Sequence, residues 1–238
     1  MESLKGKFVL LTGATGSIGG ATIKLLKDSG ANLFLTGQNA DKLKEIASSN
    51  GISGSQIFAA DLSRPEMVNE LSQKYSSFSS SIDILINASG IGIIRPIENL
   101  SNEDFLQSLH VNVYGPFLLI KAFLPMMKEA KKGLIINIPG VLGKAPMAGA
   151  AAYSASKYAL TGMMQSIREE LKRTDIRITN LFLGGTDSNF WDTIDLRVQR
   201  DKMVTAAEAA KAIWFLCQQP RSGVVSEMVL QPFNHQVL

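Results

Sequence analysis

Short runs of apolar residues alternate with longer stretches of helical periodicity along almost the whole chain. The apolar runs predict strands at residues 8–11, 32–35, 55–60, 83–87, 133–138, 177–183 and 227–232. Most of these runs lack a clean alternation of apolar and polar positions, which is typical of parallel strands buried on both faces. Strand–helix–strand repetition implies right-handed crossovers. We therefore predict an α/β fold with a doubly wound parallel sheet of about seven strands and helices on both faces.

The stretches between the strands place apolar side chains on one helix face. Such periods cover residues 67–75, 105–124, 160–171 and 206–217. Pro125 follows the second of these and predicts a kink there. Neither a linker-like segment nor an internal repeat interrupts the pattern, so residues 1–238 are expected to form a single domain.

Composition excludes several classes of protein. With 45% hydrophobic and 19% charged residues, the chain is not intrinsically disordered. The formal net charge of +3 is too small for a nucleic-acid-binding or membrane-binding surface. The chain has a single cysteine, Cys217, so it cannot form an internal disulfide. With one cysteine and two histidines, a metal site is not expected either. No uninterrupted apolar stretch approaches the ~18 residues of a membrane span, and the run at 8–11 is too short for a signal peptide. We expect a soluble, cytoplasmic protein.

A glycine-rich loop directly follows the first predicted strand and precedes the first helix. Glycines allow a tight turn and close approach of phosphates, while a helix N-terminus offers free N–H groups to an anion. The alternative is an ordinary glycine-rich β–α turn. The placement favours dinucleotide binding by a Rossmann-type domain, with contacts from Gly13, Thr15, Ser17, Ile18 and Gly19.

The end of the second strand bears on the choice of dinucleotide. NAD-binding domains often carry an acidic residue there, about 20 positions after the glycine loop, to hold the ribose 2′-hydroxyl. This chain has Gly37-Gln38-Asn39 instead, without a carboxylate and without an arginine to hold a 2′-phosphate. The segment, with Gln38 as the candidate contact, favours NADP(H) weakly over NAD(H). Poor discrimination between the two is the alternative.

Tyr153 and Lys157 stand four residues apart on a predicted helix and therefore share one face. A fixed ammonium group favours the phenolate and lowers the pKa of a neighbouring tyrosine from about 10. Such a tyrosine can protonate a carbonyl oxygen or deprotonate an alcohol. The spacing alone is common on helix surfaces, so it has to be weighed together with the other motifs.

Six landmarks occur in a characteristic order. They are the glycine loop, Asp61-Leu62, Asn87-Ala88-Ser89-Gly90, His110-Val111-Asn112-Val113, Tyr153 with Lys157, and Gly184-Gly185-Thr186. In these motifs, over nearly its whole length, the chain resembles the short-chain dehydrogenase/reductases of the compact, single-domain kind. The resemblance implies a short substrate loop around 186–204 and a homodimer or homotetramer. It also implies a small-molecule carbonyl or alcohol as substrate.

The resemblance also implies roles for individual residues. Asp61 and Leu62 belong to the adenine site, and Asn87, Ala88 and Gly90 support the adenosine side. Asn112 holds a water that relays protons to Lys157, which also binds the nicotinamide ribose, and Thr186 binds the carboxamide. For Asp61 and Asn112, taken singly, a helix or turn cap is the alternative.

One position departs from the family pattern. The serine that the family places thirteen residues before the tyrosine is replaced here by Gly140. Losing a donor to a developing oxyanion typically costs about 10²–10³ in turnover. A backbone N–H at Gly140 or Val141, or a trapped water, can recover part of this loss. A serine restored at 140 would supply the donor, unless glycine is needed there for a positive φ.

The expected substrate side of the site is apolar. Loops after the strand ends carry Ile91, Ile93, Val141, Leu142, Met147, Phe190 and Trp191. Gly140, Val141 and Trp191 are the candidate substrate contacts, and they suit an apolar carbonyl compound. Packing of these loops against the domain is the alternative explanation.

Three functions remain open at this point. The leading hypothesis is an NAD(P)-dependent oxidoreductase with Asn112, Tyr153 and Lys157 as catalytic residues, of reduced activity because the serine is absent. The second is a catalytically weak or inactive dinucleotide-binding sensor or structural subunit. The third is an epimerase or dehydratase, because the spacing of Gly13, Gly16 and Gly19 resembles the extended branch of the superfamily.

Overall fold

The computed structural model describes residues 1–194, 196–236 and 238. Its strands and helices follow one another as the apolar pattern predicts. They are β1 (Phe8–Leu11), α1 (Ser17–Asp28), β2 (Asn32–Gly37), α2 (Ala40–Ser49), β3 (Ile57–Ala59), α3 (Pro65–Ser76), β4 (Ile84–Asn87), α4 (Asn102–Leu109), α5 (Gly115–Glu129), β5 (Gly133–Asn137), α6 (Ala151–Leu171), β6 (Ile176–Leu183), β7 (Thr186–Asp187), β8 (Val204–Thr205), α7 (Ala206–Cys217) and β9 (Glu227–Leu230).

Within the described residues, seven strands form one parallel sheet in the order β3-β2-β1-β4-β5-β6-β9. The predicted doubly wound α/β fold is therefore confirmed. The strand order reverses between β1 and β4. At such a reversal the loops leave in opposite directions, which opens a crevice outside the carboxyl ends of the strands.

Two apolar cores lie on the two faces of the sheet. On one face α1, α2 and α7 contribute Ile23, Leu43 and Ile213. On the other face α3, α5 and α6 pack through side chains that include Tyr75 and Met164. Because both faces are covered, the central strands are apolar at successive positions rather than at alternate ones.

A π-helical turn at residues 110–114 joins α4 to α5. This turn, around Asn112, is an irregularity that the sequence analysis did not anticipate. Helix α5 itself continues past Pro125, where a kink was predicted, to Glu129. Turns of this type are frequent at functional sites.

The helical segment Asn102–Glu129 is long and apolar enough, by length and composition only, to cross a membrane. The core helix of a packed domain has the same character, and this segment contacts α3 and α6. Only 33% of its most apolar 18-residue window is buried. The outward-facing part includes Phe105, Leu106, Tyr114 and Phe117, and the rings of Tyr114 and Phe117 stack 5.9 Å apart.

A two-stranded parallel pair was not predicted. β7 pairs with β8 and closes the base of the loop that the sequence analysis placed at 186–204. Arg200 crosses this loop, with its Nε 3.0 Å from an Asp187 carboxylate oxygen and an Nη 2.9 Å from one of Asp192. Asp195, which also belongs to the predicted loop, lies outside the described residues.

Candidate active site

A cavity of about 820 Å³ opens at the carboxyl ends of the central strands. It contains many of the residues that the sequence analysis selected. Those lining it are Gly13, Ser17, Ile18, Gly19, Ala88, Gly90, Gly140, Val141, Tyr153, Lys157, Thr186 and Trp191. The cavity thus joins the glycine loop at one end to the Tyr153 helix at the other.

The glycine-loop end is built to receive an anion. Helix α1 begins at Ser17 without a side-chain cap and without an acidic residue in its first turn. The N–H groups at a helix N-terminus lack partners within the helix and attract negative charge. The Thr12 hydroxyl oxygen accepts hydrogen bonds from the N–H groups of Ala88, at 3.1 Å, and Ser89, at 3.2 Å. The glycine loop is thereby tied to the loop after β4.

Of the residues expected on the adenosine side, Ala88 and Gly90 line this cavity and the others do not. Thr15, Gln38, Asp61, Leu62 and Asn87 are absent from its lining. Gln38 and Asp61 follow β2 and β3, which lie on the far side of β1 from β4 in the strand order. The Asp61 carboxylate accepts hydrogen bonds from the Ser63 N–H, at 3.0 Å, and hydroxyl, at 2.7 Å, as a turn cap does.

Asn87 belongs instead to a row of buried amides across the sheet. Asn87, Asn137 and Asn180 occupy register-matched positions on β4, β5 and β6. The Asn87 Nδ2 donates to the Asn137 Oδ1 at 2.7 Å, while the Asn180 amide has no partner among the described residues. The sequence analysis did not select Asn137 and Asn180. The available signal was a polar residue at the same place in three apolar strands.

Tyr153 and Lys157 share one face of α6, as their spacing predicts. The Lys157 Nζ lies 5.4 Å from the centre of the Tyr153 ring and donates to the Ile138 carbonyl at 3.1 Å. Lys157 is only 5% exposed, and burial lowers the pKa of its ammonium to about 8. Burial also raises the pKa of the Tyr153 phenol.

The direction for Tyr153 is opposite to the expected lowering by Lys157. The loss of water around the phenolate disfavours the charged form, and an attraction by the Lys157 ammonium is not among the causes of the pKa shift. The same loss of water favours the neutral amine of Lys157. At neutral pH the phenol therefore keeps its proton.

The Asn112 side chain makes three hydrogen bonds within the protein. Its Oδ1 accepts from the Ile91 N–H at 2.9 Å, and its Nδ2 donates to the Ile91 carbonyl at 2.9 Å and to the Ser156 hydroxyl oxygen at 3.0 Å. The Ser156 hydroxyl donates in turn to the Tyr153 carbonyl at 2.7 Å. Both amide hydrogens are thus occupied, and Asn112 connects the loop after β4 to the beginning of α6.

Gly140 has a backbone conformation that explains the absent serine. Its φ is +71° and its ψ is 168°, a region that is almost restricted to glycine. A side chain there would be strained by about 1–3 kcal/mol. Position 140 therefore has the positive φ that would strain a serine introduced there.

Aromatic side chains of the loop after β7 form part of the cavity wall. The Trp191 Nε1 donates to the Thr186 carbonyl at 2.9 Å, and the Thr186 hydroxyl donates to the Gly184 carbonyl at 3.1 Å. Phe190 lies beside Tyr153, with ring centres 5.5 Å apart. The Asn189 N–H donates to the Ser17 hydroxyl oxygen at 3.1 Å, so the loop after β7 reaches across to the glycine loop.

The arrangement suits proton transfer beside a bound dinucleotide. Among the described residues, no group of three or more His, Cys, Asp or Glu side chains could hold a metal ion. The cavity contains the partly exposed Tyr153 phenol and the buried Lys157 amine, and it begins at an uncapped helix N-terminus. The rest of its lining combines apolar side chains with polar ones such as Gln199 and Lys202. The uncapped N-terminus and the glycines beside it fit the pyrophosphate of a dinucleotide.

Comparison with known proteins agrees with this arrangement. The family model described as short chain dehydrogenase matches residues 7–199. An uncharacterised oxidoreductase of Staphylococcus saprophyticus is 31% identical over 246 aligned positions, which cover 100% of both chains. An uncharacterised oxidoreductase of Staphylococcus epidermidis is 28% identical, covering 98% of this chain and 100% of its own.

Solved structures with the same fold carry NADP-type ligands. An alcohol dehydrogenase from the archaeon Thermococcus sibiricus, complexed with 5-hydroxy-NADP, superposes with a TM-score of 0.86 at 26% identity, over 98% of this chain and 99% of its own. A metagenomic short-chain oxidoreductase in complex with NADP gives a TM-score of 0.83 at 29% identity, over 98% and 100%. Together with the match over residues 7–199, these likenesses show that the chain belongs to the short-chain dehydrogenase/reductase family of oxidoreductases.

Proposed function

We propose that the protein is an NADP(H)-dependent oxidoreductase that interconverts a small apolar carbonyl compound and its alcohol. The observation that carries the proposal is the common cavity of the glycine loop, Tyr153 and Lys157. When bound, the nicotinamide supplies or accepts the hydride. This chain contributes binding, orientation, exclusion of water and the movement of one proton.

The N-terminus of α1 and the glycine loop would hold the pyrophosphate. Lys157 would bind the nicotinamide ribose, and Thr186, which lines the same cavity, would meet the carboxamide. Asp61, Gln38 and the other residues on the adenosine side would complete the site along the neighbouring strand ends. The NADP-bound structures at 26% and 29% identity support this choice of cofactor.

Tyr153 would act as the general acid in reduction and the general base in oxidation. Burial raises the pKa of its phenol, so the proton is present at neutral pH and can pass to a carbonyl oxygen as negative charge develops there. Lys157 in its charged form would stabilise the phenolate that remains. Asn112 would act by fixing the position of the loop after β4 relative to α6.

Gly140 favours a second candidate function. No side-chain hydroxyl occupies this position, and the backbone conformation disfavours one. A binding protein that uses the dinucleotide as a signal or a structural element would not need that donor. Measurable turnover that depends on Tyr153 separates the enzyme from this alternative.

The lining of the cavity supports an uncharged, apolar substrate. The lining includes the aliphatic and aromatic side chains of Leu142, Met147, Phe190 and Trp191, and the Phe190 ring lies beside that of Tyr153. A neutral ketone or aldehyde would bury its hydrocarbon part there at a gain of roughly 25 cal/mol per Å². A cytoplasmic location, inferred from the sequence, stays a prediction.

We further propose that the exposed apolar face of α4 and α5 pairs with a second copy of the chain. Phe105, Leu106, Tyr114 and Phe117 are each more than one-third exposed on this segment. Burying such a face between two copies removes apolar surface from water and explains the hydropathy of the segment.

We expect Tyr153→Phe to abolish turnover while NADPH binding persists. The substitution keeps the ring and removes only the proton that the mechanism transfers. Turnover should fall by about 10²-fold or more. The matched control is Tyr158→Phe, which alters a half-exposed tyrosine on the same helix. Reduction of a broad panel of ketones and aldehydes that survives Tyr153→Phe would contradict the mechanism.

We expect Lys157→Met to stabilise the cofactor-free protein while removing activity. Because folding lowers the pKa of this lysine from 10.5 to about 8, the unfolded chain binds more protons above pH 8. Wild-type stability should therefore rise between about pH 8 and pH 10. At pH 7 the variant should gain about 1–3 kcal/mol, after loss of the bond to Ile138, and this gain should shrink over the same interval.

Urea unfolding at a series of pH values measures this difference. The exposed Lys172, substituted in the same way, should change the free energy of unfolding by less than about 0.5 kcal/mol. A Lys157→Met variant that is less stable than wild type at pH 7 would mean that the buried ammonium has partners that fully compensate for its lost hydration.

NADPH should bind at least as tightly as NADH. Gln38 is exposed at the end of β2, where no carboxylate repels a 2′-phosphate. Gln38→Arg should strengthen NADPH binding about tenfold through charge-assisted hydrogen bonds, and Gln38→Asp should weaken it. Titration of nicotinamide fluorescence measures all three proteins. A tenfold preference of the wild type for NADH would exclude the assignment.

Light scattering at micromolar concentration should report a dimer or tetramer of the 25.8 kDa chain. Leu106→Glu together with Phe117→Glu places charges on the apolar face and should shift the population toward monomer. Lys172→Glu, at an exposed site immediately after α6, serves as the charge control. A wild-type monomer would contradict the pairing.

A further inference from the structure

Phe190 makes an unusually close contact with Gly92. A Cβ atom placed on Gly92 would lie 2.1 Å from both Cε2 and Cζ of the Phe190 ring. Gly92 belongs to the loop after β4, whereas Phe190 belongs to the loop after β7. The ring edge of Phe190 therefore occupies the space that any other side chain at position 92 would fill.

The backbone at position 92 does not itself require glycine. Its φ lies outside the left-handed region, in contrast to that of Gly140. The two atoms nearest to the added Cβ are at the far end of a flexible side chain. An alanine there would consequently move the Phe190 ring rather than distort the fold.

The same ring lies over the proposed acid. Its centre is 5.5 Å from that of Tyr153, at an interplanar angle of 40°, and 5.0 Å from that of Trp191. Residues on both sides of Phe190 are anchored. The Asn189 N–H bonds to Ser17, and the Trp191 Nε1 bonds to the Thr186 carbonyl. The ring is thus held against Gly92 on one side and Tyr153 on the other.

We infer that Phe190, seated on Gly92, is a specificity-determining residue that limits the size of one substituent on the carbonyl carbon. The inference rests on the proposed function, because a carbonyl oxygen must come within hydrogen-bonding distance of the Tyr153 hydroxyl. A substituent that points toward Phe190 from that place meets the ring. We expect only a hydrogen or a methyl group to fit between them, which makes aldehydes and methyl ketones the expected substrate class.

Two aryl ketones that differ only in this substituent provide the test. Acetophenone carries a methyl group and isobutyrophenone a branched alkyl group on the same carbonyl carbon. The measured quantity is the ratio of kcat/KM for acetophenone to kcat/KM for isobutyrophenone, with NADPH. Changes of one or two carbons in an apolar pocket are worth about 10–200-fold in such ratios. We expect a wild-type ratio above about tenfold.

Variants at the two positions should move this ratio in opposite directions. Phe190→Ala should lower it at least fivefold by opening the space, and Gly92→Ala should raise it by pushing the ring toward Tyr153. In the Phe190→Ala background, Gly92→Ala should have no further effect, since the ring that it displaces is gone. Phe215→Ala, on the outer surface of α7, is the matched control and should leave the ratio within twofold.

A ratio that stays within twofold of wild type in both Phe190→Ala and Gly92→Ala, with NADPH affinity retained, overturns the inference. If the wild type reduces neither ketone, the proposed function fails on these substrates and the inference is decided by binding. Calorimetric titration of the NADP⁺ complex with each ketone then replaces kcat/KM. Tighter binding of isobutyrophenone to Phe190→Ala than to wild type supports the role of the ring, and equal binding overturns it.

Discussion

One buried amide, that of Asn112, connects the segments that form the candidate active site. Its hydrogen bonds join both polar backbone groups of Ile91 to the Ser156 hydroxyl, and Ser156 continues to the Tyr153 carbonyl. Asn112 is only 1% exposed, so an unpaired amide there would lose its hydration without replacement. The loop after β4 is therefore held at a fixed position relative to the beginning of α6. Because both segments line the cavity between the glycine loop and Tyr153, the cavity keeps its shape.

The site combines this rigid frame with two groups that folding places under electrostatic stress. Burial acts against charge on both Tyr153 and Lys157, and no carboxylate is among the causes of either shift. A ligand that supplies hydrogen bonds and opposite charge to these two groups replaces the hydration they lost, and its binding therefore stabilises the folded protein. The serine is absent at Gly140, where the backbone conformation would strain any side chain.

The apolar runs were sufficient to predict the sheet, since parallel strands covered on both faces have few polar residues. Tyr153 and Lys157 could also be placed together from sequence, because their proximity depends only on helix geometry. The φ of Gly140, the amide row through Asn137 and Asn180, and the contact between Gly92 and Phe190 could not. Each of these depends on segments that are distant in sequence and meet only after folding. The raised pKa of Tyr153 was missed because burial cannot be measured on a sequence.

The pairing of β7 with β8 has a consequence for how this protein can diverge. The two short strands and the Arg200 ion pairs close the loop between them at its base. With the ends already fixed, lengthening or exchanging the intervening residues adds little closure entropy, about 0.6 kcal/mol for each doubling of length. The loop carries Phe190 and Trp191, whereas Tyr153 and Lys157 belong to a helix packed on the sheet. On the proposed assignment of these residues, substrate preference and hydride chemistry lie on separate parts of the chain. A new preference can then be acquired by mutation within this one surface loop.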